Sequence, residues 1–443
     1  MSLILLLISV VLIVVLTARF NLHPFLALLV ASFFFAFGSG MSYEVILDSI
    51  NTGFGNTLGS IGMVILFGII IGAFLEHTGA AFRLAEVVLR LIGKKRVHGA
   101  MGIMGFLISI PVFADSGYIL LHPLNKSLSK KAGLSLAGTG VALMLGLMLT
   151  HVLVPPTPGP IAAAGIVGAD VGRVMILGLI IGLVSLPVAV LYGKYYAGRT
   201  YIDPNPDVDA DDIESVTKSA PGAFKSFLPI VVPIILIITK SILELQLGDT
   251  APNTWQATLI FLGTPVIALF IGMLLAFTLP KKLEQAMFST TGWVGKALLD
   301  GALILLITGA GGGFGKVLQQ SGIADDMQNL LAGVNLGIWL PFILTAAIKT
   351  AQGSSTVALI TTAGIMAPMM AGMGFESEWE KALMVVSIGA GAAVVPHAND
   401  SGFWVFTQLT GMDIKTGYRL YTFGGFLTGT FAAFAIFIVS LVF

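Results

Sequence analysis

The chain has 443 residues, 56% of them hydrophobic and only 10% charged, with 23 Lys and Arg against 23 Asp and Glu and a mean hydropathy of +0.95. Soluble domains carry about a quarter charged residues, so a soluble globular protein is excluded, and zero net charge removes the basic footprint of a nucleic-acid binder. The absence of cysteine excludes disulfides, thiolate metal sites and cysteine nucleophiles. The fold class is therefore an all-α polytopic membrane protein.

The first apolar run, Leu3 to Leu16, has no basic segment before it and no small-residue cleavage pattern after it, and reads as a retained span rather than a signal peptide. At about 20 apolar residues per span, continuous spans are expected near residues 2–18, 22–40, 57–75, 174–192, 226–243, 257–279, 297–318 and 417–443. Two further runs are interrupted. Run 135–168 contains Val154, Pro155, Pro156, Thr157, Pro158, Gly159 and Pro160, and run 381–411 contains Val395, Pro396, His397, Ala398, Asn399, Asp400, Ser401 and Gly402. Proline lacks an amide donor and clashes with the preceding turn, so neither run forms an unbroken helix.

Regions 99–125 and 336–370 are too long for single spans and carry polar centres, at Phe113–Tyr118 and Lys349–Thr356, which predicts re-entrant hairpins. Irregular backbone at membrane depth survives only when buried in protein or lining a wet cavity. The soluble stretch Tyr201–Pro221, with Asp203, Asp207, Asp209, Asp211, Asp212 and Glu214, reads as a cytoplasmic linker rather than a metal site. With the N-terminus outside, most basic residues fall on the cytoplasmic side, among them Arg83, Arg90, Lys94, Lys95, Arg96, Lys130 and Lys131, while Arg173, Lys240, Lys316 and Lys381 remain outside. Ten crossings place both termini outside.

The two halves share an order of features. Gly72–Gly79 parallels Gly315–Gly322 at the end of a long span, and each half continues with a hairpin, a broken span in which Val154-Pro155 aligns with Val395-Pro396, and a closing span. The hairpins enter from opposite sides, so the repeats are inverted. The expected organisation is 1–56 as N-terminal scaffold spans, 57–200 as the first inverted repeat, 201–221 as linker, 222–296 as connecting spans and 297–443 as the second repeat. Broken helices at corresponding positions of inverted halves place a binding site near the bilayer midplane. Half-helix N-termini there suit a carboxylate, and the Ser, Thr, Asn and Gln at tips and breaks suit hydroxyls.

These motifs carry a family resemblance. Pro155–Pro160, Gly353–Val357 with the Thr-Ala-Gly-Ile that follows, and His397–Trp404 resemble the gluconate permease family of gluconate:proton symporters, within a larger group of ion-coupled carboxylate transporters. The resemblance implies uptake of gluconate or a related sugar or hydroxy acid, with protons, across a bacterial inner membrane. It also implies a homodimer with a fixed scaffold and a moving transport domain.

The expected substrate site comprises Asp115, Ser116, Gly117, Thr157, Gly159, Lys349, Gln352, Gly353, Ser354, Ser355, Asn399, Asp400 and Ser401, with Asp115, Asp400 and His397 as ion-coupling residues. Each has a plainer alternative. Asp115 and Asp400 could be helix caps, and Lys349 could meet the substrate carboxylate or form a buried pair with Asp115 or Asp400. His397 and His151 could carry a proton or merely pack. Glu76 and His77, aligned with Gln319 and Gln320, read as a span end, and Gly309–Gly315 reads as close helix packing. Neither a cofactor nor a metal is expected. With no H-E-x-x-H, G-x-S-x-G or P-loop motif, an enzyme or an ATPase is disfavoured. A channel and Na⁺ in place of protons stand as alternatives.

Overall fold

A computed structural model describes residues 2–20, 22–93, 96–204, 220–247, 250–323, 336–397 and 400–442. Among these residues every regular element is helical, because a helix satisfies its own backbone amides and carbonyls where lipid cannot. Two apolar helices, α1 (Ser2–Ala18) and α2 (Pro24–Gly38), precede a first repeat of α3 (Tyr43–His77), α4 (Ala80–Ile92), α5 (Val97–Ile108), α6 (Ala114–Ala132), α7 (Leu136–Leu153), α8 (Pro158–Val167) and α9 (Val171–Tyr195). Helices α10 (Ala223–Leu247), α11 (Thr254–Leu262) and α12 (Pro265–Ala276) then lead to α13 (Trp293–Gln320), α14 (Trp339–Gln352), α15 (Ser355–Met366), α16 (Glu378–Ala393), α17 (Ser401–Thr410) and α18 (Ile414–Ser440).

The repeat of the two halves is evident in this order. Helix α3 corresponds to α13, the hairpin α5–α6 to α14–α15, the broken pair α7–α8 to α16–α17, and α9 to α18. The halves interlock: α3 packs along α13, α8 against α15, and α6 against α17. Glycine permits the tightest of these approaches. A β-carbon on Gly53 of α3 would lie 2.5 Å from the Gly312 carbonyl oxygen of α13, so the Gly309–Gly315 run serves helix packing.

Local chemistry explains the interruptions. The α14–α15 reversal passes through Gly353 at φ +93°, which a side chain would disfavour. Helix α8 starts on Pro158, whose fixed φ suits a first helical position, and α16 ends before Pro396.

Some expectations need correction. The span foreseen at 57–75 is the inner part of a 35-residue helix that starts at Tyr43. The span foreseen as continuous over 257–279 is two helices bent by 65°. Pro265 restricts Thr264 to extended backbone, and a β-carbon on Gly263 would lie 2.4 Å from the Leu236 carbonyl oxygen of α10. Helix α4 is an amphipathic element in which Glu86 meets both Arg83 and Arg90 at 2.5 Å. Of the expected linker, residues 205–219 lie outside the described residues, as do Lys94 and Lys95.

The packing makes a prediction. On Gly146 a β-carbon would lie 2.3 Å from the Gly102 carbonyl oxygen, whereas on Gly59 it meets nothing within 4 Å. Gly146→Ala should destabilise the protein by about 1–3 kcal/mol through forced separation of α5 and α7. Gly59→Ala should be neutral or stabilising by up to about 1 kcal/mol. Thermal unfolding in detergent reads both, and equal melting temperatures would refute the packing assignment.

Candidate functional site

Three half-helix N-termini surround one cavity of about 330 Å³. Helix α6 contributes Ala114, Asp115 and Ser116, α15 contributes Ser355 and Thr356 with the preceding Ser354, and α17 contributes Ser401 with the preceding Asp400. First-turn amides have no acceptor within their own helix and carry the positive end of its dipole. The N-terminus of α6 offers the most, since its cap residue, Phe113, makes no side-chain hydrogen bond to it. Ser354 Oγ already accepts from the Val357 amide at 3.3 Å, and Asp400 Oδ1 from the Gly402 amide at 2.7 Å.

The charges are arranged unequally. Lys349, only 1% exposed, donates to Asp400 Oδ2 and to the Gly353 carbonyl, so its ammonium joins the second hairpin to the second break and does not line the cavity. Asp400 is thus held by a lysine and by the first turn of α17. Asp115 has a neutral partner: Ser401 Oγ donates to its Oδ2 at 2.6 Å, bridging the two halves.

The structure therefore brings together Asp115, Ser116, Ser354, Ser355, Asp400 and Ser401 around one space. Other expected site residues lie elsewhere. Thr157 is buried and donates to the Val154 carbonyl at 2.6 Å, and Gly159 packs on Leu359, so neither lines the cavity. The first turn of α8 also contains Pro158 and Pro160, which have no amide to offer a ligand. A β-carbon on Gly117 would point at Leu147, away from the space. His397 Nε2 bonds the Thr350 carbonyl at 2.6 Å, fastening the second break to the second hairpin. Gly353 gives its carbonyl to Lys349. Gln352 ends α14, and Asn399 lies outside the described residues.

Six lining residues were not in the expected set: Phe113, Ala114 and Thr356 adjoin expected positions, whereas Met148, His151 and Asp300 come from other helices. Met148 and His151 project from α7, and the Nδ1 of His151 is buried without a hydrogen-bond partner among the described residues. Asp300 comes from α13. Its signal was present, since an acid within an apolar span is expensive and marks a functional position by default. Asp300 also lines an adjoining cavity of about 220 Å³, shared through Phe113 and Ser116, that reaches Glu76, His77 and Lys296 at the ends of α3 and α13 expected to be cytoplasmic.

Residues 1–442 match the family described as GntP family permease. The chain belongs to that permease family. Its relatives include a gluconate permease of Pseudomonas aeruginosa, 33% identical over 94% of this chain and 92% of the relative. The Gnt-II system L-idonate transporter of Escherichia coli is 32% identical over 95% of each chain, and an Escherichia coli D-serine transporter is 33% identical over 99% of this chain and 98% of its own. The solved structure of the YdaH transporter of Alcanivorax borkumensis, described as having an unusual topology, aligns with a TM-score of 0.57 at 17% identity and covers 86% of each chain. The GntP permease described here is thus a multi-pass membrane transporter and not an enzyme.

The buried pair in this permease makes a second prediction. Removing one partner of a buried ion pair costs about 3–5 kcal/mol, whereas neutralising both together removes the stranded charge. Asp400→Asn and Lys349→Gln should each lower the melting temperature strongly, and the double variant should recover much of the loss. Additive losses in a double-mutant cycle would refute the pairing.

Proposed function

We propose that this GntP permease is a secondary active transporter that imports a small hydroxylated monocarboxylate, gluconate or a related sugar or hydroxy acid, with protons across a bacterial inner membrane. One observation carries the reading: three half-helix N-termini converge on a cavity of about 330 Å³ that also presents the hydroxyls of Ser116, Ser354, Ser355, Thr356 and Ser401. The N-termini suit a carboxylate, the hydroxyls both donate and accept, and the volume is at the small end of ligand pockets. The gluconate, L-idonate and D-serine transporters among the relatives support a small carboxylate.

Protons are favoured over Na⁺ by where the carbonyls point. A sodium site at the breaks would draw on backbone oxygens, and side-chain donors already compete for several of them. Those of Val154, Thr350, Gly353 and Pro396 already accept from Thr157, His397, Lys349 and Thr422. Asp115, bonded to a hydroxyl rather than a cation and set at the junction of the two halves, takes the coupling proton in this reading, while Asp400 is paired with Lys349. His397 acts as a fastener in this scheme. The same reading makes α1–α3 and α10–α13 a scaffold, the hairpins and broken helices the moving unit, and the working form a homodimer.

The test is uptake of labelled gluconate into proteoliposomes under an imposed inward proton gradient, with and without sodium, and with glycerate and D-serine as competitors. Proton-driven accumulation is expected, and uptake that requires sodium would overturn the coupling assignment. Asp115→Asn should keep gluconate counterflow while losing most of its acceleration by the proton gradient. A full response to the gradient in that variant would remove Asp115 from the coupling role.

A further inference from the structure

A cavity of about 440 Å³ lies apart from the substrate site, where the ends of α3 and α13 expected to face outside meet the C-terminal ends of α8 and α15. It shares none of its lining with the central cavity. Inversion relates it to the inner cavity at Glu76 and Lys296. In the register that pairs Gly72 with Gly315, its lining residues Gly53, Thr57, Gly312, Gly315, Lys316 and Gln319 correspond to Lys296, Asp300, Ile69, Gly72, Ala73 and Glu76, all of which line the inner cavity. The repeat has kept a hollow at the same place on each side of the membrane.

The chemistry has not been kept. The inner hollow carries the acids Glu76 and Asp300, and their outer counterparts are the neutral Gln319 and Thr57. Where the inner hollow has Ala73, the outer has Lys316, and where the outer has Gly53, the inner has Lys296. Lys316 Nζ bonds the Gln319 side-chain oxygen at 2.9 Å and faces no acid in the lining among the described residues. Asn56, Thr57 and Ser60 supply neutral donors and acceptors beside it. A single cation among amides and hydroxyls is the recognition chemistry of a hydroxylated monocarboxylate, whereas the inner hollow sets two acids, Glu76 and Asp300, against its one lysine, Lys296, and is the poorer place for that anion.

We propose that the outer hollow is a second anion site, which captures the hydroxy-acid substrate through Lys316 before it reaches the central cavity. The inner hollow, adjoining the central site and carrying acids, is the release side. The ligand class rests on the function proposed above, but the site itself is a claim about binding and can be tested apart from transport.

The chain contains no cysteine, so single-cysteine reporters need no prior substitutions. Ser60→Cys, with Asn56→Cys as a second reporter, is placed in the full chain in right-side-out membrane vesicles and labelled with a membrane-impermeant methanethiosulfonate, with and without gluconate. Gluconate at about ten times its dissociation constant should slow labelling about tenfold. Protection should persist when the central site is altered by Lys349→Gln with Asp400→Asn. It should survive Lys316→Arg, while Lys316→Gln should raise the half-protecting concentration about tenfold or more. Labelling unaffected by gluconate, protection that survives Lys316→Gln unchanged, or protection lost with the central pair would each overturn the site. Uptake without protection sinks the outer site alone, and protection without uptake supports it while sinking the transport reading.

Discussion

A helix interrupted at membrane depth leaves amides and carbonyls that neither lipid nor the next turn can satisfy. The two hairpins and the two broken spans of the repeats are four such places, and much of the interior follows from how each is resolved. Side chains meet several of the carbonyls, locally from Thr157 to Val154 and Lys349 to Gly353, and across neighbouring segments from His397 to Thr350 and Thr422 to Pro396. The amides are treated differently. Proline removes them from the start of α8, Ser354 and Asp400 cap part of α15 and α17, and α6 is left without a side-chain cap. Donors thus remain where the cavity lies, and the break without them is buried.

This distinction sets what could be read from the sequence. Apolar run length, the proline clusters and the polar hairpin centres were enough for the inverted repeats, because each depends on a local rule. Pro265 carried the same local warning, yet the run around it is apolar enough to pass for one span, and the bend at Gly263 depends on the close approach of α10. The site was half legible for a related reason. Asp115, Ser354 and Ser401 could be found from their positions at tips and breaks, but Thr157 occupies an equivalent break and is turned into the protein. Whether a break faces the cavity is decided by tertiary packing. Asp300 reaches the space from a helix of the α3–α13 pair, and only the crossing of that pair puts it there.

Lys349 resolves an ambiguity that sequence left even. A lysine near a hairpin tip is an obvious partner for a substrate carboxylate, but its burial and its bonds to Asp400 and Gly353 commit its charge within the protein. The cation closes a bridge between the second hairpin and the second break. Exchanging a free ammonium for dipoles suits a transporter, since a full charge in a low-dielectric site would hold an anion too firmly to release it.

On the proposed reading, the same charge balance links substrate to proton. With Lys349 neutralised by Asp400, an incoming carboxylate meets helix dipoles that favour it and the Asp115 carboxylate that does not. Two like charges in one small cavity repel strongly when little water lies between them. A proton on Asp115 removes that repulsion and turns its side chain from an acceptor-only group into a donor. Whatever factor the proton contributes to substrate affinity, the substrate must contribute equally to proton affinity. Coupling then requires no separate ion site, only an acid close enough to the substrate that the two negative charges are disfavoured together. The Ser401 hydroxyl holds Asp115 at the junction of the two repeats, where the proposed reading puts the substrate.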